Sequence, residues 1–188
     1  MRKLKLLLQT TINGYAAGPN GENDWMTWNP DAELIEFMNS LYDSSDTILL
    51  GRKTADFFID YWKGAFDKNP DTPFAKQIVE MPKVVFTKTL AHSKWDNTTL
   101  AKGNLSEEIG GLKKQNGKDI MVIGSPTFVS SLIKESLIDE YQLIINPTAM
   151  ASGMTIFNSL DGIRKFIPVQ SKLYPGEKIV MTYKSKND

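Results

Sequence analysis

The sequence predicts an α/β fold with a mostly parallel sheet and an antiparallel hairpin near its C-terminus. Apolar segments of strand length alternate with amphipathic segments of helical spacing, as in proteins built from strand–helix–strand units. Two of those strands run directly into a glycine that starts a helix. The last two strand-like segments are separated only by a short turn at Pro175-Gly176, which indicates a hairpin.

The first half of the chain contains two strands that lead into helices. Residues 3–10 are predicted as a buried strand, and Asn13-Gly14 then favours a turn because both residues tolerate positive φ. A helix is expected to begin with Pro30 as its first residue, and Glu33 lies in its first turn. Residues 47–50 form a short strand that leads to a second helix. The Pro-, Asp- and Lys-rich residues 62–76 are predicted as a connection.

The second half continues the alternation and then closes with the hairpin. Ser106 is a possible cap for the helix at 105–115, and a second helix is expected at 127–135. Neither a repeat nor a low-complexity segment interrupts the pattern, so we expect one domain over residues 1–188. The predicted strands are residues 83–87, 98–100, 119–123, 139–146, 165–173 and 177–183.

Composition excludes several classes of function. The 22 basic residues equal the 22 acidic ones, which disfavours a nucleic-acid partner. Cysteine is absent, so disulfides, thiolate nucleophiles and Cys-ligated zinc are excluded. The one histidine, His92, lies in a polar loop and is expected at the surface without a metal. No apolar segment is long enough to cross a membrane, and we expect a cytoplasmic protein with a small-molecule substrate.

The segment Gly51-Arg52-Lys53-Thr54 is the sharpest local signal for a ligand. It lies where a strand ends and a helix begins, so backbone N–H groups and the helix dipole converge there. Two cations and a hydroxyl add donors that suit a phosphate. The alternative is a tight glycine turn with solvated side chains, and the tetrapeptide alone does not decide between the two.

A second strand–glycine–helix turn and a third strand end extend this pattern. Gly124, Ser125 and Thr127 repeat the first turn, and two such turns in one sheet favour a nucleotide over a small anion. The alternative is a plain helix start capped by Ser125. Thr87 and Lys88 end another strand and suit a ribose phosphate, although a solvated loop would look the same.

One carboxylate and three tryptophans are candidates for contact with a substrate. Glu33 lies close in sequence to Trp25 and Trp28, and a carboxylate beside aromatic side chains can act as a proton donor. The alternative is that Glu33 only complements the helix dipole. Trp25, Trp28 and Trp62 can form an aromatic wall for a flat ring.

With these turns in order, the chain resembles the dihydrofolate reductase superfamily. More closely, it is similar to the reductase domain of the bifunctional riboflavin-biosynthesis deaminase-reductase and to its stand-alone relatives. The resemblance covers nearly the whole chain, and it is carried by segments at 11–15, 48–54, 122–125, 137–143, 146–147 and 153–157.

The resemblance implies a single-domain, dihydrofolate-reductase-like three-layer α/β/α fold and an NADPH-dependent oxidoreductase. Its substrate would be a ribosylamine-type pyrimidine, as in 5-amino-6-(5-phosphoribosylamino)uracil reductase; a dihydrofolate or pterin reductase and a non-catalytic NADPH-binding protein are the alternatives. Glu33 falls near the family's acid. Apolar late strands also favour a homodimer through sheet edges. The implied NADPH-binding residues are Thr10, Gly14, Gly51, Arg52, Lys53, Thr54, Thr87, Lys88, Gly124, Ser125 and Thr127.

This chain also departs from the family pattern. Gly124-Ser125 stands where the family often has Gly-Gly, and Asn13 replaces a common aspartate. Zinc-binding cysteines and a His-x-Glu motif are absent, so we expect no deaminase chemistry from these residues.

Overall fold

A computed structural model describes residues 1–27 and 29–186. The strands among these residues are β1 Leu4–Thr11, β2 Ser45–Gly51, β3 Lys83–Phe86, β4 Thr98–Ala101, β5 Asp119–Val122, β6 Glu140–Asn146, β7 Phe166–Leu173 and β8 Ile179–Ser185. The helices are α1 Ala32–Asp43, α2 Arg52–Lys68, α3 Ala75–Glu80, α4 Leu105–Lys114 and α5 Pro126–Lys134.

All the strands belong to one sheet with the order β4-β3-β2-β5-β1-β6-β8-β7. From β4 to β6 every pair of neighbours is parallel. β8 then pairs antiparallel with β6, and β7 pairs antiparallel with β8. The predicted mixed sheet with a terminal hairpin is therefore confirmed. The parallel part places the carboxyl ends of the first six strands along one edge, which we call the carboxyl edge.

Helices cover both faces of the sheet and make three layers. On one face, Leu7 of β1 and Ile48 of β2 pack with buried side chains of α1, α2 and α3. On the other face, Leu6 of β1 packs with Ile109 of α4 and Val129 of α5. Since β1 contributes to both cores, it is buried on both faces, which explains its nearly continuous apolar sequence.

The second helix is longer than the sequence predicted. α2 runs to Lys68, and α3 follows at Ala75–Glu80, so the predicted connection at 62–76 was wrong over much of its length. Ala55, Phe58, Ile59 and Trp62 lie at helical spacing and are all buried against the sheet. This packing outweighs the Lys, Asp and Gly residues that suggested a loop.

Two helix starts also differ from the sequence expectation. α1 begins at Ala32, two residues after Pro30, because the Asp31 carboxylate accepts the Leu34 N–H at 3.0 Å and caps the helix. Asn104, and not Ser106, caps α4, since its side-chain oxygen accepts from the Glu107 N–H at 3.2 Å. Among residues 1–27 and 29–186, no helix has the length and apolarity needed to span a bilayer.

Candidate functional site

The centre of the carboxyl edge is a topological switch point between β2 and β5. These strands are neighbours, but from β2 the chain continues to β3 and from β5 it continues to β6, in opposite directions across the sheet. α2 packs on one face and α5 on the other. The two turns meet directly, since the Gly51 N–H donates to the Gly124 carbonyl at 3.0 Å. Open α/β sheets bind ligands in the crevice at such a point.

The two helices that start at this crevice have no side-chain caps. Gly51 precedes α2 and has no side chain to offer, and the Ser125 hydroxyl makes no capping bond to α5. By contrast, α1 and α4 start at the same edge and are capped by Asp31 and Asn104. No side chain of the described residues caps the first-turn N–H groups of α2, or those of α5 that follow Pro126, so they can donate to an anion, with both helix dipoles favouring negative charge.

The crevice is narrow because Gly51 allows the two helix starts to approach closely. A Cβ added at Gly51 would lie 2.9 Å from the Phe128 Cβ and 3.1 Å from the Ser125 Oγ. Gly124 has φ +142°, and the Gly124-Ser125 peptide bond is cis. The Thr54 Oγ1 lies 3.5 Å from the position of a Cβ at Gly124, so this hydroxyl stands beside the second turn.

Basic side chains surround the start of α2. The Arg52 guanidinium is partly exposed and donates to the Asp56 carboxylate at 2.6 Å. The Lys94 ammonium lies 3.5 Å from the same carboxylate. Lys53 is exposed beside them. Asp56 thus pairs with two cations, and the exposed Lys53 adds a third positive charge, which leaves an excess of positive charge at the uncapped helix start.

Thr87 and Lys88 lie at the end of β3, the strand that neighbours β2. Thr87 is buried, and its hydroxyl accepts from the Thr89 and Leu90 N–H groups, both at 3.2 Å. The hydroxyl therefore shapes the turn. Lys88 is exposed on that turn and adds a further cation to the same side of the crevice.

The other side of the crevice is formed by β1 and β6. Thr10 is buried, and its carbonyl accepts from the Asn146 side chain at 3.4 Å. Gly14 has φ +82° in the turn that follows β1, and its N–H donates to the Thr11 carbonyl at 3.0 Å. The Asn13 side chain ties this turn to a second loop by donating to the Met150 carbonyl at 2.7 Å.

Asn146 is a functional candidate that sequence reasoning did not select. It is fully buried at the carboxyl end of β6 and donates to the Gln9 side chain at 3.0 Å. Its own side-chain oxygen has no hydrogen-bond partner among the described residues. An amide at the end of the apolar run Leu143-Ile144-Ile145 was a signal that could have identified it.

Glu33 and Trp25 lie near one another in sequence but differ in environment. The Glu33 carboxylate is exposed and pairs with Lys172 of β7 at 2.7 Å; the Glu33 hydrogen bond raises the pKa of Lys172. Trp25 is partly buried, and its Nε1 has no partner in the described part of the chain. Trp28 lies outside the described residues.

Trp62 lies away from the carboxyl edge. It is buried against Phe58 and Tyr61, with ring centroids at 6.1 and 5.4 Å. Trp62 also lines a cavity of about 220 Å³ with Lys83 and Asn97, which stand at the amino ends of β3 and β4. The structure therefore does not bring Trp62 together with the other predicted site residues.

The fold and the crevice define an α/β protein of the dihydrofolate-reductase-like class. The chain matches the RibD C-terminal domain family over residues 2–177. It therefore belongs to the RibD C-terminal domain family, as the sequence resemblance indicated.

Comparison with individual proteins agrees with this assignment. The uncharacterized protein YyaP of Bacillus subtilis is 33% identical over 157 residues, which are 83% of this chain and 80% of YyaP. A crystal structure of a putative riboflavin biosynthesis protein from Shewanella superimposes with a TM-score of 0.75 at 22% identity, with both chains fully covered. The deaminase/reductase of Thermotoga maritima gives a TM-score of 0.68 at 14% identity, over 98% of this chain and 57% of that one.

Proposed function

We propose that this protein is an NADPH-dependent reductase that acts on a heterocyclic or ribosylamine-type substrate. One observation carries the proposal: the uncapped starts of α2 and α5 stand side by side at the switch point, joined by the 3.0 Å bond from Gly51 to Gly124. Two adjacent sets of free N–H groups suit the several phosphates of a dinucleotide. Membership of the RibD C-terminal domain family supports the same cofactor.

The residues at the crevice fit such a cofactor. The small size of Gly51 and Gly124 lets a pyrophosphate approach the backbone, and Arg52 supplies the guanidinium that would read the 2′-phosphate. NADPH would supply the hydride, while the protein orients it toward the substrate carbon. The other residues proposed to line the cofactor are Thr10, Gly14, Lys53, Thr54, Thr87, Lys88, Ser125 and Thr127.

The substrate would lie beside the Thr10 and Asn146 end of the crevice. Among the described residues, the Asn146 Oδ1 and the Trp25 Nε1 have no hydrogen-bond partner, so they offer an acceptor and a donor, and Trp25 also offers a ring. Such groups suit the amide-like edge and the flat face of a pyrimidine. The exposure of Glu33 and its pair with Lys172 favour ordered water over Glu33 as the source of the proton.

We also propose that the protein forms a homodimer through β7. This strand is one of the two edge strands of the sheet, and its Ile167 and Val169 side chains are about half exposed. An exposed apolar edge strand is prone to pair with another chain, and a second copy would cover it.

Turnover with purified substrates tests the reductase proposal. The oxidation of NADPH is followed by absorbance with 5-amino-6-(5-phosphoribosylamino)uracil in one reaction and dihydrofolate in another, and the product is identified by mass. Reduction of the ribosylamine supports the proposal, and reduction of dihydrofolate alone would make the protein a pterin reductase. NADPH binding without turnover of either compound would favour a non-catalytic binding protein.

A further inference from the structure

The segment between β1 and α1 begins and ends at the carboxyl edge and carries Trp25 and Trp28. We call residues 12–31 the tryptophan loop. Its first part is fixed to a neighbouring loop, because the Ala16 N–H donates to the Met154 carbonyl and the Met154 N–H donates to the Ala17 carbonyl, both at 2.8 Å. Its second part, which leads into α1, is fixed in a different way by the turn between β7 and β8.

Lys178 in that turn is a buried cation that binds the tryptophan loop. Only 1% of Lys178 is exposed, and its ammonium donates to the Thr27 carbonyl at 2.7 Å and the Asn29 Oδ1 at 2.8 Å. It forms no ion pair with a carboxylate in the described part of the chain, and burial lowers its pKa. A buried ammonium is costly unless its donors are satisfied, so Lys178 and this conformation of the loop stabilise each other.

Asp31, at the end of the tryptophan loop, makes a second connection to the turn between β7 and β8. One of its carboxylate oxygens caps α1, and the other accepts from the Gly176 N–H at 2.8 Å. The contact is close, since a Cβ at Gly176 would lie 3.0 Å from that oxygen and 3.1 Å from the Asn29 carbonyl. The turn thus donates hydrogen bonds to the loop from both its backbone, at Gly176, and a side chain, that of Lys178.

A second buried lysine shows what is distinctive about Lys178. Lys83 is 2% exposed and also donates to two oxygens, the carbonyls of Val79 and Met81. Those acceptors lie within four residues of Lys83, at the amino end of β3. Lys178 instead contacts residues that are 149 and 151 positions away in sequence, at the carboxyl edge beside the end of β6. It lies just beyond residues 2–177, the span that matches the family.

We propose that Lys178 is a positioning residue that holds the tryptophan loop over the carboxyl edge in the conformation that receives the substrate. The loop carries Trp25, whose Nε1 lacks a partner among the described residues. The conformation of the loop therefore determines the position of this hydrogen-bond donor. The identity of the ligand rests on the proposed function, whereas the fixation of the loop by Lys178 does not.

The test compares Lys178→Met, which keeps the length of the side chain but removes its donors, with Lys83→Met as the matched control. We expect Lys178→Met to raise the KM for the substrate by about tenfold or more, which corresponds to the loss of one charged hydrogen bond. The rate of amide hydrogen exchange at the non-proline residues of 19–31 should rise by a similar factor. The kcat and the Kd for NADPH should change little. Lys178→Arg should restore part of the effect, and Lys83→Met should leave KM and loop exchange as in the wild type.

Asn29→Ala provides a second variant if Lys178→Met does not fold, because Asn29 is exposed and its loss removes one acceptor only. It should shift KM and loop exchange in the same direction by a smaller amount. Wild-type KM and exchange in folded Lys178 and Asn29 variants would overturn the proposal, as would an equal effect of Lys83→Met. If the protein shows no turnover, the reductase proposal fails, and the exchange comparison alone decides whether Lys178 fixes the loop.

Discussion

At the scale of single residues, the charged side chains of this protein differ in their exposure and in the partners that they contact. Arg52 pairs with Asp56 but stays partly exposed, and it stands with the exposed Lys53 at an uncapped helix start that suits an anion. Glu33 and Lys172 are committed to each other at the exposed side of α1. Lys83 and Lys178 are buried and bind backbone or amide oxygens. We base the proposed binding and structural roles on these environments and not on the residue types.

Glu33→Gln should leave turnover nearly unchanged. The exposed ion pair with Lys172 contributes little to the free energy of unfolding. Because the Glu33 carboxylate is exposed and bound to Lys172, we do not expect it to be the proton donor. The measurement is kcat across a pH series for the wild type and the variant. A fall of about 10²- to 10⁴-fold, the usual effect of losing a general acid, would instead identify Glu33 as the acid.

Lys83 should make the stability of the protein depend on alkaline pH. Burial lowers its pKa to about 8, so above this pH the folded protein has lost a proton that the unfolded chain retains up to the ordinary lysine value of 10.5. The unfolded state then binds more protons, and stability rises with pH. The free energy of unfolding of the wild type, relative to Lys83→Met, should rise by about 2 kcal/mol from pH 7 to 9.5. Urea titrations at both pH values measure it, and a constant or falling difference would contradict the lowered pKa.

At the scale of helices and strands, the starts of α2 and α5 decide whether the crevice exists. Gly51→Ala should push these starts apart, because the new Cβ would lie 2.9 Å from the Phe128 Cβ. We expect a loss of about 1–3 kcal/mol in the free energy of unfolding, as for an overpacked site, together with weaker NADPH binding. Thermal unfolding and a cofactor titration measure the two effects.

Gly64→Ala is the matched control in the same helix. Nothing lies within 4 Å of a Cβ at Gly64, so alanine should stabilise α2 by about 0.5–1 kcal/mol and leave NADPH binding unchanged. If Gly51→Ala behaved like Gly64→Ala, the close approach of the two helix starts would not matter for the site.

The sequence predicted these elements where a local pattern agreed with the packing. The strands that end at Gly51 and just before Gly124 were predictable, because a buried apolar run stops at a glycine. α2 was predicted too short, since burial of Trp62 favours the helix over its local composition. The cap by Asp31 was missed because Pro30 is an equally good helix-start signal and only the hydrogen bond to Leu34 decides between them.

At the scale of the whole molecule, topology determines which residues meet. Gly51 and Gly124 are 73 positions apart, yet they meet because β2 and β5 are neighbours in the sheet, as general rules for α/β folds anticipated. The bonds from Lys178 to the tryptophan loop were not predictable. In sequence, Lys178 looks like a solvated lysine in a hairpin turn, and only the return of β8 beside β6 brings it to that loop.

The proposed homodimer is a property of the outer edge of the sheet. Val169→Lys places a charge on β7 and should shift the protein toward a monomer in sedimentation equilibrium, because an edge lysine opposes strand pairing. Ile163→Lys is the control, since Ile163 is 95% exposed but lies outside β7. A monomeric wild type, or equal effects of the two changes, would show that β7 does not form the interface.

Binding of NADPH in the crevice between β2 and β5 is tested most directly by fluorescence titrations of the protein with NADPH and with NADH. We predict saturable binding with a clear preference for NADPH. Arg52→Ala should weaken NADPH binding by about 1.5–3 kcal/mol, the worth of a hydrogen bond to a charged group, and leave NADH nearly unaffected. An equal loss for both cofactors would mean that Arg52 does not read the 2′-phosphate. Binding of neither cofactor by the wild type would contradict the reductase account and leave only the fold.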